Sequence, residues 1–342
     1  MSHSSFSTQH NTAIHLSGPE VWRAADVAAS AEWRIELDAA TIDELAQTAR
    51  RVAADGLPAD EVNRHRFPLG RAHEYTERVH EHVEHAAGFA LLCGLPFVEL
   101  GYEEQIALTC AIADHVGRVV VQNYEGQRIV DVRDEGIAYS HQSRGYRSNK
   151  LLPFHTDGAN LFVLACLGES ESGGETILVS APAVYNTLID EYPETIAILQ
   201  RGFYHHRRGQ HDPGEAPLSA ERVPVFAFHK GLLHCCYNRN PIEWAQKEGV
   251  VLADEEVAAL DALDTVLARD AMQVKLRLQP GDALFVNNFI SLHSRTEYQD
   301  SDVQRRHMLR MWMNDPRSRR SGMSLLELYV PASMRESHAQ SR

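Results

Sequence analysis

Hydrophobic positions change their period part-way along the chain. Within residues 38–54 the apolar positions Ile42, Leu45, Ala46, Ala49 and Val52 return every three or four residues. They follow a capping candidate, Thr41, with Asp43 and Glu44 in the first turn, which predicts a one-faced helix. Similar patterns predict helices over about 75–87 and 103–116. Between these two, Gly88-Phe89-Ala90-Leu91-Leu92-Cys93-Gly94-Leu95-Pro96 is a short apolar run closed by glycine and proline and reads as a buried strand. Beyond residue 116 the chain breaks into short β-type runs at 118–122, 129–133, 161–167, 175–179, 223–228, 232–237, 272–278, 283–286 and 306–312. Helical inserts are expected at 184–201 and 254–268. Many short strands with polar connections predict a mainly β fold with flanking helices (α+β), a sandwich or jelly roll, rather than a parallel sheet with crossover helices. No glycine-rich phosphate loop links a strand to a helix, and no repeat is present.

The polar, aperiodic ends, 1–30 and 333–342, are expected to be flexible, which leaves a single domain over 31–332. Hydrophobic residues make up 44% of the 342 positions and charged residues 23%, enough to build a core without disulfides. The five cysteines (Cys93, Cys110, Cys166, Cys235, Cys236) sit among apolar neighbours and read as buried thiols of a reducing compartment. The first residues carry no basic-then-apolar leader, and no long uncharged apolar run occurs anywhere. A cytoplasmic protein with no membrane partner is the expectation. A formal net charge of −14 without a basic run argues against a nucleic-acid partner. Nothing in the sequence excludes a homo-oligomer.

Candidate chemistry centres on Leu152-Pro153-Phe154-His155-Thr156-Asp157-Gly158. A His-x-Asp triplet alone is weak, expected about once by chance in a chain with 19 histidines. On an extended strand, however, positions i and i+2 point the same way, so His155 and Asp157 can offer one ion a nitrogen and an oxygen. His293 follows the turn Gln279-Pro280-Gly281-Asp282 and the apolar run 283–286, just past a core strand. Arg306 and Arg310 then lie on an alternating strand with Met308 and Trp312, and two inward arginines require an anion. Two imidazoles and one carboxylate leave three adjacent positions open on an octahedral ion, as in non-haem Fe(II) oxygenases. A 2-oxoacid fills two and dioxygen the third, with an arginine at the distal carboxylate. Thr176, in Gly173-Gly174-Glu175-Thr176, is a candidate second donor.

With these residues in place, the sequence resembles the Fe(II)- and 2-oxoglutarate-dependent oxygenases similar to taurine dioxygenase and clavaminate synthase. The resemblance runs from about 88 to 313 and rests on Gly88-Phe89, His155-Thr156-Asp157, Gly173-Gly174-Glu175-Thr176, Pro280-Gly281-Asp282, Asn288, His293-Ser294-Arg295 and the Arg306/Arg310 strand. It implies a double-stranded β-helix (jelly roll), with His155, Asp157 and His293 as iron ligands. It further implies Arg306 and Thr176 on the C5 carboxylate of 2-oxoglutarate, and Arg310 on a substrate anion. Fe(II), 2-oxoglutarate and O2 are the implied cofactor and cosubstrates. The halogenating members lack the carboxylate ligand, so Asp157 disfavours halogenation here.

The expected reaction is hydroxylation, or another oxidation, of an unactivated C–H bond in a small carboxylate-bearing molecule such as an amino acid or a biosynthetic intermediate, with release of succinate and CO2. A zinc hydrolase using the same ligands, or a non-catalytic jelly-roll binding module, remain as alternatives. The hydrolase gives no reason for the arginine pair, and the binding module has no need of the triad. Gln122, Asn123 and Asn149 flank the metal motif in chain order and are candidate substrate contacts, and Glu175 is a candidate partner for Arg310. His80-Glu81-His82-Val83-Glu84-His85 is expected to be a solvated helix face. His205-His206-Arg207-Arg208 is expected in a mobile loop that can overlie the site.

Overall fold

Strand periodicity explains how the molecule is layered. In the computed structural model, which describes residues 14–137, 140, 145–321 and 325–335, a seven-stranded sheet runs in the order Arg34–Glu36, Phe89–Cys93, Ala283–Asn287, Leu161–Gly168, His307–Asn314 and Arg118–Val120. Ile129–Val132 also pairs with His307–Asn314. A four-stranded sheet has the order Val274–Leu276, Thr176–Ser180, Ser291–Arg295 and Leu152–His155. Alternate residues of the large sheet serve two cores. Val163, Ala165, Phe285, Leu309, Met311 and Met313 face the helices Ala39–Ala54, Ala72–His85 and Tyr102–Val116. Phe162, Leu164, Leu284, Met308 and Trp312 face the opposite way and pack with Leu178, Val274 and Leu276 of the small sheet. A third core joins Val179 and Leu292, on the outer side of the small sheet, to the helices Ala181–Glu191, Pro193–Arg201 and Asp254–Leu267. Two facing sheets, antiparallel except for the parallel edge pair Arg34–Glu36 and Phe89–Cys93 and each backed by helices, form a double-stranded β-helix of mixed α+β class.

Several expectations change. The helix expected at 184–201 is two helices, because Pro193 has no N–H to continue the first and instead starts the second. The run 223–228 does not join either main sheet; Phe226–His229 forms a hairpin with Leu232–Cys235. His293 follows the core strand Ala283–Asn287 as expected and lies within a further strand, Ser291–Arg295. A turn at Asn287–Ile290, closed by Ile290 N–H donating to Asn287 O at 3.3 Å, carries the chain from the large sheet to the small one.

Residues 14–30 are not loose. Trp22 is 3% exposed and its indole donates to Ala87 O at 2.7 Å, while Ser180 Oγ donates to Glu20 O at 2.6 Å. The rest of that expectation, residues 1–13, and the part 336–342 of its counterpart at 333–342 lie outside the described residues, while Ser333 is held in place, its N–H donating to Asp212 Oδ2 at 3.0 Å and its Oγ to Oδ1 at 2.7 Å. The helix bearing the histidine cluster is docked rather than solvated: His80 Nε2 lies 2.7 Å from Asp315 Oδ2, and buried Glu84 accepts from Ser318 Oγ at 2.9 Å and from Arg319 N at 2.6 Å. All five cysteines are free and buried. No helix among the described residues is long and apolar enough to cross a membrane.

Candidate active site

Antiparallel pairing places His293 directly opposite His155, as Ser291–Arg295 runs beside Leu152–His155. Their ring centroids are 4.1 Å apart, and His293 also packs on Phe162 at 4.4 Å. Asp157 is brought in by the turn after the strand. Asn288 clamps that turn: its Oδ1 accepts from Asp157 N at 3.1 Å and its Nδ2 donates to Ala159 O at 2.9 Å. A Cβ at Gly158 would come within 2.5 Å of Tyr329 and 2.9 Å of Trp312, so glycine lets both rings close over the turn. The three side chains offer ligand atoms all within 4.8 Å of one another, and all three residues are buried.

The donor set suits a divalent ion. His155 Nδ1 lies 2.8 Å from Pro153 O, an acceptor only, so Nδ1 carries the proton and Nε2 keeps its lone pair. Burial holds the His155 imidazole below its ordinary pKa against the pull of Asp157, and holds that of His293 well below. Burial alone would raise the Asp157 carboxyl. The Arg310 guanidinium, the two imidazoles and the Trp312 donor outweigh it and hold the group below the usual carboxylate range. Trp312 Nε1 donates to Asp157 Oδ2 at 2.8 Å, leaving Oδ1 as the freer oxygen. Two neutral imidazoles and one carboxylate, with no fourth protein ligand among the described residues, fit an open iron centre.

The two arginines part company at the start of their strand. The strand begins at His307 and its register shifts between His307 and Met308. Arg310 points at the triad: Nη1 is 3.4 Å from each Asp157 oxygen, Nε donates to Gln122 Oε1 at 3.0 Å, and the guanidinium lies 5.1 Å from the rings of both Tyr146 and Trp312. Its carboxylate partner is therefore Asp157, not Glu175, which accepts from Thr296 Oγ1 at 2.5 Å.

Arg306 is 2% exposed, stacks 5.4 Å from the Tyr298 ring, and makes one long contact from Nε to Gly174 O at 3.4 Å. Its Nη1 is buried without a partner, as are Arg295 Nη1 and Tyr298 Oη. Burial lowers the pKa of Arg306; burial and then the charge of Arg306 lower that of Arg295 to about 10. Cationic and polar groups buried in this way are costly unless an anion meets them. Gly173 and Gly174, at φ +68° and +80°, turn the chain against Arg306, where a Cβ on Gly174 would sit 3.0 Å from Arg306 Cδ. Thr176 follows, buried and paired with Arg295 across the sheet.

A cleft of about 580 Å³ opens onto His155, Asp157, Arg310 and Trp312, and its wall includes Tyr146, Leu151, Ile177 and Tyr329. Of the expected substrate contacts, Gln122 is fully buried and acts on Arg310. Asn123 is spent on a turn, its side chain holding both the backbone and the amide of Gln127. Neither Asn123 nor Asn149 lines the cleft. His205 and Arg207 are buried instead of mobile, whereas Arg208 reaches the cleft wall. Trp312 is the contributor that sequence reading missed, although it shares the face of Arg310 by strand parity.

An open two-histidine, one-carboxylate centre inside a double-stranded β-helix, with a buried arginine cluster beside it, defines a non-haem iron, 2-oxoacid-dependent dioxygenase. The model of the taurine catabolism dioxygenase TauD, TfdA family matches residues 53–312, and the chain belongs to that family. It is similar to FR-33289 synthase of Streptomyces rubellomurinus (strain ATCC 31215), at 34% identity over 318 residues, 91% of this chain and 93% of that protein. A taurine hydroxylase-like protein, SAT17, of Stachybotrys chartarum (strain CBS 109288 / IBT 7711) is 28% identical over 254 residues, 70% of this chain and 63% of its own length. Among solved structures, asparagine oxygenase in complex with Fe(II), 2S,3S-3-hydroxyasparagine and succinate shares the fold at TM-score 0.62 and 16% identity, covering 83% of this chain and 94% of that one. The non-heme iron oxygenase OrfP in complex with Fe and alpha-ketoglutaric acid does so at TM-score 0.59 and 16% identity, covering 82% and 94%. The enzyme class uses Fe(II), 2-oxoglutarate and O2.

Proposed function

We propose that the protein oxidises an unactivated C–H bond of a small molecule bearing a carboxylate, such as an amino acid or a biosynthetic intermediate. On this reading His155, Asp157 and His293 hold the iron, and Arg306 with Thr176 takes the distal carboxylate of 2-oxoglutarate. Arg310 takes the carboxylate of the substrate. The observation that carries the proposal is the pairing of the open triad with a buried guanidinium at Arg306 whose Nη1 has no hydrogen-bond partner. A hydrolytic zinc site needs the triad but leaves that guanidinium without an anion. When bound, iron with 2-oxoglutarate and dioxygen supplies the oxidising power, and succinate and CO2 are released.

The chain's own residues set the geometry. Pro153 O fixes the tautomer and tilt of His155, and Trp312 fixes the rotation of the Asp157 carboxylate. Gln122 and the rings of Tyr146 and Trp312 hold Arg310 in one plane, so its fork is preformed for a carboxylate. Leu151, Leu152, Pro153 and Ile177 supply an apolar wall along the cleft for the rest of the substrate. The test is anaerobic addition of Fe(II) and 2-oxoglutarate, which should produce a visible charge-transfer band that Asp157→Ala abolishes. A panel of small carboxylates should then include one that stimulates succinate release. Unaltered, metal-loaded protein with no band refutes the assignment.

A further inference from the structure

We propose that Arg208 is a second anion-binding residue of the cleft, so that the substrate carries two oxyanionic groups, one for Arg310 and one for Arg208; this rests on the oxygenase reading above. Arg208 stands out when the charges of the cleft wall are matched with their partners. The lining residues that ionise as acids or guanidinium groups are Asp157, Arg208, Arg239, Glu243, Asp264 and Arg310. Arg239 lies 2.7 Å from Glu243, Asp261 and Asp264, so its charge is already met within the protein. Arg310 faces Asp157 at 3.4 Å, and an ion held by Asp157 takes over that carboxylate's charge. Arg208 alone among these has no ion pair and no side-chain hydrogen bond among the described residues. Loaded with its metal, the cleft thus presents two guanidinium groups that need anions from the ligand.

The placement of Arg208 is imposed by the fold. Its φ is +48°, a left-handed conformation that costs a non-glycine residue about 1–2 kcal/mol, and strain of this kind gathers at functional sites. The backbone is locked there: Arg208 N donates to His206 Nδ1 at 2.8 Å, and Gln210 N to Arg207 O at 2.9 Å. Its neighbours are anchored as well. Arg207 is 7% exposed and pairs with Glu215 at 3.0 Å, and His205 is 1% exposed. A buried, braced segment therefore turns one charged side chain toward the cleft against its own backbone preference. A guanidinium fork matches a carboxylate or phosphoryl group bidentately.

The experiment is calorimetric titration, without oxygen, of enzyme loaded with Fe(II) and saturating 2-oxoglutarate, so that the cosubstrate site is already filled. The ligands are N-acetyl-L-aspartate, N-acetyl-L-glutamate and N-acetyl-L-2-aminoadipate, each against its side-chain amide, with N-acetyl-O-phospho-L-serine against N-acetyl-L-serine as the phosphoryl arm. At least one dianion should bind about tenfold or more tightly than its neutralised partner. Arg208→Asn removes the charge with a residue that tolerates left-handed backbone. It should shrink that preference to within about twofold while leaving the affinity of the neutralised partner unchanged. Arg208→Lys should keep part of the preference. A preference that survives Arg208→Asn, or no dianion preference in any arm, overturns the proposal. Absence of the visible 2-oxoglutarate band in unaltered enzyme strikes instead at the oxygenase reading on which it rests.

Discussion

Replacing Arg306 with glutamine isolates the cosubstrate anchor from the metal centre. The side chain is buried, its Nη1 has no protein partner, and its closest polar contact is a 3.4 Å approach to Gly174 O. Losing a charge-assisted contact to the 2-oxoglutarate carboxylate should cost about 1.5–3 kcal/mol, or roughly 10- to 150-fold in affinity. The same number can be read thermally. At about 2.1 cal/mol/K per residue, unfolding 342 residues carries about 0.7 kcal/mol/K of entropy. A ligand at 100 times its Kd contributes about 2.7 kcal/mol, which raises the melting temperature of the iron-loaded protein by about 4 °C. With affinity weakened tenfold at the same concentration, the rise falls to about 2 °C, and with a hundredfold loss to below about 1 °C. Arg306→Gln makes no contact with the triad, so iron retention and the melting temperature without 2-oxoglutarate should stay close to those of the unaltered protein. The assay is an anaerobic titration of the visible band, paired with melting curves at one 2-oxoglutarate concentration. An unchanged titration and an unchanged 4 °C rise would show that another residue holds the cosubstrate.

Three further outcomes are expected. Arg310→Met should abolish the preference of the enzyme for a turnover substrate over its amide, measured as the ratio of kcat/KM values; a surviving preference assigns Arg310 to Asp157 alone. Trp312→Phe deletes the 2.8 Å donor to Asp157 while keeping an aromatic ring, and should weaken Fe(II) retention about 10- to 100-fold in competition with a chelator. Burial keeps His205 and His234 neutral, with pKa values lowered to about 3 and about 4. Their unfolded value lies near 6.5, so each contributes stability that is present above that pH and is lost as pH falls toward the folded value. At pH 5 this loss is about 2 kcal/mol per histidine. Denaturant melts should show this fall between pH 7 and pH 5, and a His205→Leu, His234→Leu double variant should flatten it.

How much of this was legible in the sequence depends on the range of the interaction. The runs 161–167 and 306–312 were readable as strands because length, β-type residues and flanking turns are local signals. Parity along the second run placed Arg310 with Met308 and Trp312. Arg306 lies one residue before that strand, whose register against Leu161–Gly168 shifts between His307 and Met308, and such a shift leaves no local mark in the sequence. The short strands Leu152–His155 and Ser291–Arg295 had no readable bounds, although His155 was expected on an extended strand. Each carries polar or ligand residues where alternation would show apolar ones, and each is specified by its partners across the small sheet.

The metal triad was readable because its chemistry restricts residue type and His-x-Asp keeps two ligands close in the chain, although Asp157 falls in the turn past the end of Leu152–His155 and not on the strand. The cleft wall follows no such code. Arg208 and Arg239 come from segments that the sequence marks only as polar, and what separates them is pairing: the charge of Arg239 is met within the protein by Glu243, Asp261 and Asp264, whereas that of Arg208 is not. Charge matching of this kind depends on three-dimensional neighbours, so specificity hides where catalysis shows. The triad can stay constant while one unpaired guanidinium decides which substrate's charges are met, because a half-buried cation left facing the cleft without an anion disfavours every ligand that lacks one.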